Sequence, residues 1–190
     1  MIVLIGGPPR VGKTQLAQLV CARDAIPFAS TDAVREVVNV ADPGFGQMPW
    51  RDLDAARAHA DRFFPFLDAF VSEYDLPNRR FVVEGVEFLP QQAAQLGMAR
   101  SLRCCFLGLS ECSVDALELD GAGNWMWDTA PTERPGIAAD IVELSRWLQA
   151  ECDQLGLPFV DMVGDRTVAL ERAYAVLMGA SGWASGARAG

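Results

Sequence analysis

The chain has 190 residues, 51% of them hydrophobic, and a formal net charge of −9. This length and composition suit one globular domain and exclude wholesale disorder, while the acidic balance argues against nucleic acid or an anionic membrane surface as the main partner. No apolar run approaches the ~20 residues that a membrane span needs, and the start lacks a signal-peptide pattern, so we expect a cytoplasmic protein with no membrane partner.

Five short apolar segments alternate with helix-like segments along the chain. The strands are predicted at Ile2–Ile5, Pro27–Ala29, Phe81–Val83, Leu102–Leu109 and Pro158–Val160. The helices are predicted at Thr14–Arg23, Ala33–Val40, Asp52–Tyr74, Pro90–Ala99, Ser113–Leu119 and Ala138–Leu155. Strands that are apolar throughout are typical of a parallel sheet covered on both faces. The pattern therefore predicts an α/β fold with right-handed crossovers.

Two stretches are longer than this alternation requires. Residues 33–78 contain a turn-rich loop and a long apolar helix pattern, in which Pro65 predicts a kink or a division. Residues 120–136 contain Gly, Pro and Trp, and their length fits an active-site lid or an ordinary surface loop equally well. We expect residues 1–178 to form a single domain and the Gly-, Ala- and Ser-rich residues 179–190 to be a disordered tail.

The clearest motif follows the first predicted strand. The segment Gly7-Pro-Pro-Arg-Val-Gly12-Lys13-Thr14 fits the Walker A pattern G-x-x-x-x-G-K-[ST], and Lys13 is the only lysine in the chain. In such a loop the backbone N–H groups surround phosphate oxygens, the lysine reaches the β- and γ-phosphates, and the hydroxyl of Thr14 binds Mg²⁺. The motif predicts that ATP is bound by Gly7, Pro8, Pro9, Arg10, Val11, Gly12, Lys13, Thr14 and Gln15. The alternative is a fortuitous Gly-rich turn.

Acidic residues follow two of the other strands, at the sheet edge where ligands bind in parallel α/β folds. Asp32 follows the second strand, where it is a candidate to accept a proton from a substrate hydroxyl or to hold Mg²⁺ through water; the alternative is a cap for the next helix. Glu84 continues the apolar third strand, and its burial requires a cation or a donor. It is the second predicted Mg²⁺ ligand. Glu87 is interpreted as a solvated loop residue.

With these residues in place, the sequence resembles the small P-loop kinases of the nucleoside-monophosphate-kinase-like group. The loop G-G-P-P-R-V-G-K-T, the S-T-D after the second strand and the V-V-E-G-V at the third are most similar to the 2-phosphoglycerate-kinase-like members, with zeta-toxin kinases and chloramphenicol phosphotransferases in the same group. The resemblance covers about residues 1–178. It implies a P-loop NTPase fold with a five-stranded parallel sheet, a helical substrate-binding insertion and a mobile lid.

The resemblance also implies arginines that stabilise the transferred phosphoryl group. The candidates are Arg134 in the predicted lid and Arg146 on the following helix, with Arg10 as a third, although Arg146 is equally explained as a solvated helical residue. Arg35, Arg51 and Arg57 are candidates for an anionic acceptor or are ordinary surface arginines. Trp125 and Trp127 either cover the substrate or pack the base of the lid. His59, the only histidine, is placed on a helix surface.

Together these features predict an ATP-dependent kinase that phosphorylates a hydroxyl of a small molecule, with ATP and Mg²⁺ as cofactors. Lys13 would bind the phosphates, and Asp32 would orient and deprotonate the acceptor. The rival is a nucleotide-dependent regulatory protein with little hydrolysis. The sequence identifies neither the acceptor nor the oligomeric state.

Overall fold

The computed structural model describes residues 1–118 and 128–179. Its strands are β1 (Ile2–Gly6), β2 (Phe28–Ser30), β3 (Phe81–Gly85), β4 (Leu102–Gly108) and β5 (Phe159–Asp161). They form one parallel five-stranded sheet in the order β2-β3-β1-β4-β5. This confirms the predicted α/β P-loop fold, and each strand lies within two residues of its predicted bounds.

Helices cover both faces of this sheet. They are α1 (Lys13–Asp24), α2 (Thr31–Ala41), α3 (Leu53–Tyr74), α4 (Pro90–Ala99), α5 (Val114–Glu118), α6 (Arg134–Leu155) and α7 (Arg166–Gly179). Pro65 lies inside α3, which continues past it to Tyr74, so the predicted division of this helix is wrong. Among the described residues, no helix combines the length and the apolar character needed to cross a membrane.

The two apolar cores follow from the alternation of side chains along the central strands. Ile2 and Leu4 of β1 face the core that includes α3 and α4, whereas Val3 and Ile5 face the core that includes α1 and α7. All four of these side chains are fully buried. Strand β1 is therefore covered on both sides, as its continuous apolar sequence predicts.

Helix α7 was not among the predicted helices. Its buried positions are Ala169, Ala173 and Leu177, and two small alanines give a weak apolar stripe. An N-cap residue is nevertheless present in the sequence. The side chain of Asp165 accepts a hydrogen bond from the backbone N–H of Val168 at 3.0 Å.

The structure describes only part of the predicted lid and of the predicted tail. Residues 119–127, with Trp125 and Trp127, and residues 180–190 lie outside the described parts of the chain. The last three residues of the predicted lid are the first turn of α6, which begins at Arg134 and not at the predicted Ala138. Pro135 is favourable there, because the first turn of a helix does not use its backbone N–H groups.

Candidate active site

The phosphate loop, residues 7–14, connects the carboxyl end of β1 to α1. Gly7, Arg10 and Gly12 have positive φ angles of 140°, 69° and 100°. Such left-handed residues within a tight turn direct successive backbone N–H groups to one side. Gly12 provides no side-chain cap to α1, so the first N–H groups of that helix also border the loop. The loop therefore has the positive-φ turns that are typical of an anion-binding loop.

Lys13, near the end of this loop, is the first residue of α1. Its ammonium group donates a hydrogen bond to the carbonyl oxygen of Pro8 at 2.6 Å. Burial lowers the pKa of Lys13 to about 8, against the opposing effect of the negative charges of Glu84 and Asp32. The ammonium group of Lys13 therefore loses its proton at a lower pH than an exposed lysine does, although Glu84 and Asp32 favour its charged form.

Strand pairing places Glu84 next to the phosphate loop. In the parallel register Ile5 pairs with Glu84 and Gly6 with Gly85, so β3 ends where the loop begins. The hydroxyl of Thr14 donates to Oε1 of Glu84 at 3.2 Å. Burial raises the pKa of Glu84, while Lys13 and the hydrogen bonds from Thr14 and Ser30 oppose that rise. The cation and donors that a buried Glu84 requires are therefore present.

Asp32 lies in the first turn of α2, after the short strand β2. The cap of this helix is Ser30, whose hydroxyl oxygen accepts a hydrogen bond from the backbone N–H of Asp32 at 3.2 Å. The capping alternative for Asp32 is therefore wrong. Its side chain is 61% exposed and accepts a hydrogen bond from Nη1 of Arg35 at 2.8 Å.

A cavity of about 1020 Å³ joins these residues. Lys13, Thr14, Asp32 and Glu84 border it on the side of the loop and the sheet edge. The opposite walls are formed by the loop before α3 and by the region that leads into α6, through Gln47, Met48, Trp50, Arg51, Thr129, Glu133 and Ile137. The space therefore extends from the phosphate loop to the segment predicted to bind the substrate. We call it the acceptor cavity.

Three polar residues form a buried group next to the wall of this cavity that Arg35 lines. Glu87 is fully buried, and His59 and Arg35 are 6% and 8% exposed. Nη1 of Arg35 donates to Oε1 of Glu87 at 2.6 Å, and Nε2 of His59 lies 2.5 Å from Oε2 of the same carboxylate. The surface assignments of Glu87 and His59 are therefore wrong, because the Glu87 carboxylate is buried and bonds both His59 and Arg35. Of the two alternatives for Arg35, the ordinary surface arginine is excluded, since its side chain is buried against Glu87.

The predicted arginines divide into two groups. Arg10, Arg35 and Arg51 line the acceptor cavity, and Arg51 also forms an ion pair with Asp140 on α6 at 2.5 Å. Arg57 stacks on the ring of Trp147, 4.8 Å from its centroid, away from the described lining of the cavity.

The two arginines predicted to be catalytic differ in position. Arg134 is half-buried and is not among the described residues that line the acceptor cavity, but its Nε donates to the carbonyl oxygen of the lining residue Thr129 at 3.2 Å. Arg146 is exposed on α6, on the opposite side from Ile141 and Leu148, and is not among the described residues that line the cavity. The geometry therefore gives no support to a catalytic role for Arg146.

A second cavity of about 550 Å³ lies on the other side of the phosphate loop. It is formed where β4 and β5 end, and it is lined by Leu109, Cys112, Leu117 and Val163 among others. Arg10 lines both cavities, so the phosphate loop lies between them.

The comparisons with known proteins agree with this architecture. No protein-family model matches the sequence, and no curated protein matches it either. Among solved structures, a gluconokinase from Sinorhizobium meliloti 1021 is similar over 94% of this chain and 91% of its own, with 16% identity and a TM-score of 0.54. Shikimate kinase from Acinetobacter baumannii, in complex with shikimate, covers 94% and 93% with 12% identity and a TM-score of 0.55. At this identity the likeness establishes the fold.

The lowered pKa of Lys13 predicts that MgADP binding weakens as the pH rises above about 8. The protonated lysine attracts phosphate, and the free protein loses that proton in this range, so affinity should fall by up to about tenfold per pH unit. Isothermal titration calorimetry from pH 7 to 10 measures this. Lys13→Gln, which carries no titrating group, should bind weakly with a flat profile. A flat profile for the unsubstituted protein would contradict the prediction.

The buried pair of Glu87 and Arg35 predicts a large effect of Glu87→Gln on stability. The substitution removes the fully buried carboxylate among the three that surround the Arg35 guanidinium, while Asp32 and Glu36 remain. We expect a loss of about 2 kcal/mol in the free energy of unfolding, measured with urea. The matched control is Glu171→Gln, which removes the exposed partner of Arg23 and should leave stability nearly unchanged. Equal effects of the two substitutions would show that the buried network does not stabilise the fold.

Proposed function

We propose that the protein is an ATP-dependent phosphotransferase that phosphorylates a hydroxyl group of a small molecule. The observation that carries this proposal is the arrangement of Lys13 and Asp32 on one cavity. Lys13 marks the end where a nucleotide's phosphates bind, and Asp32 marks the rim from which an acceptor hydroxyl would approach. Solved kinases with the same fold act on small hydroxylated molecules according to their names, which supports this choice.

The nucleotide fits across the phosphate loop. Its polyphosphate would bind the loop N–H groups and Lys13, while the second cavity, adjacent through Arg10, offers an apolar space for the base. Of the loop residues predicted from the motif, all except Pro8 and Pro9 have a backbone N–H group that would contribute to this site. Val11 contributes only its backbone, because its side chain is fully buried in the core.

The residues present fit Mg²⁺ bound together with the nucleotide. Thr14 and Glu84 bring two oxygen atoms within 3.2 Å of each other beside Lys13, and oxygen donors supplemented by phosphates are what this ion prefers. Mg²⁺ bound there would neutralise charge on the transferred phosphoryl group. The hydrogen bond between Thr14 and Glu84 keeps both oxygens oriented toward the loop.

Transfer itself requires one new bond and one broken bond. The acceptor oxygen attacks the γ-phosphorus, the bond between that phosphorus and the β,γ-bridging oxygen breaks, and ADP leaves. Asp32 takes the hydroxyl proton, and its exposed carboxylate is accessible to an acceptor within the cavity. Arg35 holds that carboxylate from one side through Nη1. Lys13 and Arg10 are the cations of the phosphate loop itself, and Nη2 of Arg10 also donates to the carbonyl oxygen of Leu117 at 3.0 Å. Arg134 joins them in this proposal because it is bonded to the cavity residue Thr129.

The test is a screen of hydroxylated metabolites for stimulated ADP formation from MgATP. An acceptor identified in this way should be phosphorylated by the unsubstituted protein. Lys13→Ala should abolish MgADP binding, whereas Asp32→Asn should retain binding and lose at least about 100-fold in transfer rate. Asp54→Asn, at an exposed carboxylate in the first turn of α3, is the matched control and should be fully active.

Two outcomes would contradict the proposal. Wild-type transfer by Asp32→Asn would show that another group handles the acceptor proton. Tight nucleotide binding without stimulation by any hydroxylated metabolite would instead favour a nucleotide-dependent regulatory protein.

A further inference from the structure

The outer side of the phosphate loop is bonded to an arginine from the far end of the chain. Arg166, the first residue of α7, donates from Nη1 to the carbonyl oxygen of Val11 at 2.9 Å. It also donates from Nη2 to the carbonyl oxygen of Arg10 at 3.2 Å. No motif in the sequence connects these residues, which are about 155 positions apart. One guanidinium group therefore bonds two consecutive carbonyl groups of the loop.

The backbone of the loop explains why such a donor is needed. When a turn directs its N–H groups inward, its carbonyl oxygens point outward and need donors of their own. Arg10 is a non-glycine residue at a φ of 69°, an unfavourable conformation that persists only when its surroundings hold it. The rigid, planar fork of a guanidinium suits two neighbouring acceptors.

The arginine is close to the loop and is itself well anchored. A Cβ atom placed on Gly12 would lie 3.0 Å from Nη1 of Arg166, so the guanidinium packs directly against the residue that precedes Lys13. Arg166 begins a helix that is capped by Asp165 and packs through the buried Ala169 and Ala173. The position of Arg166 is thus fixed by the same core that supports β1.

We propose that Arg166 is a positioning residue for the phosphate site, an inference that rests on the proposed function. It holds the carbonyl groups of Arg10 and Val11, which keeps the N–H groups of the loop in their anion-binding arrangement. Its effect on phosphate binding passes through the backbone of the loop. Arg166 also lines the second cavity, so an effect limited to the nucleotide base is the alternative that a test must separate.

The experiment compares inorganic tripolyphosphate with ATP as ligands, each with Mg²⁺ at pH 7, by isothermal titration calorimetry. Tripolyphosphate has no base, and it therefore reports on the loop alone. Arg166→Gln should weaken the binding of both ligands by a similar factor, about tenfold. The matched control is Arg172→Gln on the same helix, which also removes a hydrogen bond from an arginine to a backbone carbonyl, that of Asp161. This control should bind both ligands as the unsubstituted protein does.

The two affinities distinguish a positioning role for Arg166 from contact with the nucleotide base. Tripolyphosphate affinity for Arg166→Gln within twofold of the control overturns the inference, and a loss confined to ATP assigns Arg166 to base contact instead. If Arg166→Gln does not fold, Arg166→Lys replaces it. An ammonium group lacks the planar fork that bonds two neighbouring carbonyl groups, so this variant should bind tripolyphosphate severalfold more weakly, and unchanged affinity overturns the inference. Failure of the unsubstituted protein to bind either ligand overturns the proposed function, and this inference falls with it.

Discussion

The parallel pairing of β1 with β3 is the constraint on which the site depends. Because Ile5 pairs with Glu84, the end of β3 and the start of the phosphate loop lie side by side at one edge of the sheet. Pairing of Ser30 in β2 with Glu84 then brings the start of α2, with Asp32, to the same edge. A shift of one residue in the pairing of β1 with β3 would turn Glu84 to the opposite face of the sheet and separate it from Thr14.

Charge balance explains how so many ionisable groups are accommodated there. Lys13 and Glu84 oppose each other's desolvation, since each charge offsets part of the burial cost of the other. Arg35 is surrounded by the carboxylates of Asp32, Glu36 and Glu87. Lys13, Arg35 and Arg51 thus each have a carboxylate close by, and an anionic ligand would compete with those carboxylates.

The sequence predicted the parts of the structure that depend on local pattern. The continuous apolar strands predicted the parallel sheet, and the spacing of Gly7, Gly12 and Lys13 predicted the phosphate loop. The buried His59 also had a signal, since it lies three residues after Ala56 and four before Phe63 on the apolar side of α3. A polar side chain two residues before Asp61 nevertheless predicted a surface position. The local sequence does not show that a buried carboxylate, that of Glu87, would bond the imidazole. The bonds of Arg166 link distant segments without a motif, and sequence reasoning did not find them.

Asp32 and the phosphate loop are held in place by different parts of the fold. Asp32 is bonded to Arg35, Arg35 to Glu87, and Glu87 to His59 on α3, so the position of the acid depends on the helices between β2 and β3. The phosphate loop is supported by β1 on one side and by Arg166 of α7 on the other. Substitutions in the segment around Trp50 can therefore alter the cavity wall opposite the phosphate loop without disturbing the loop itself. This separation gives a physical reason why one phosphate-binding fold is compatible with many acceptors.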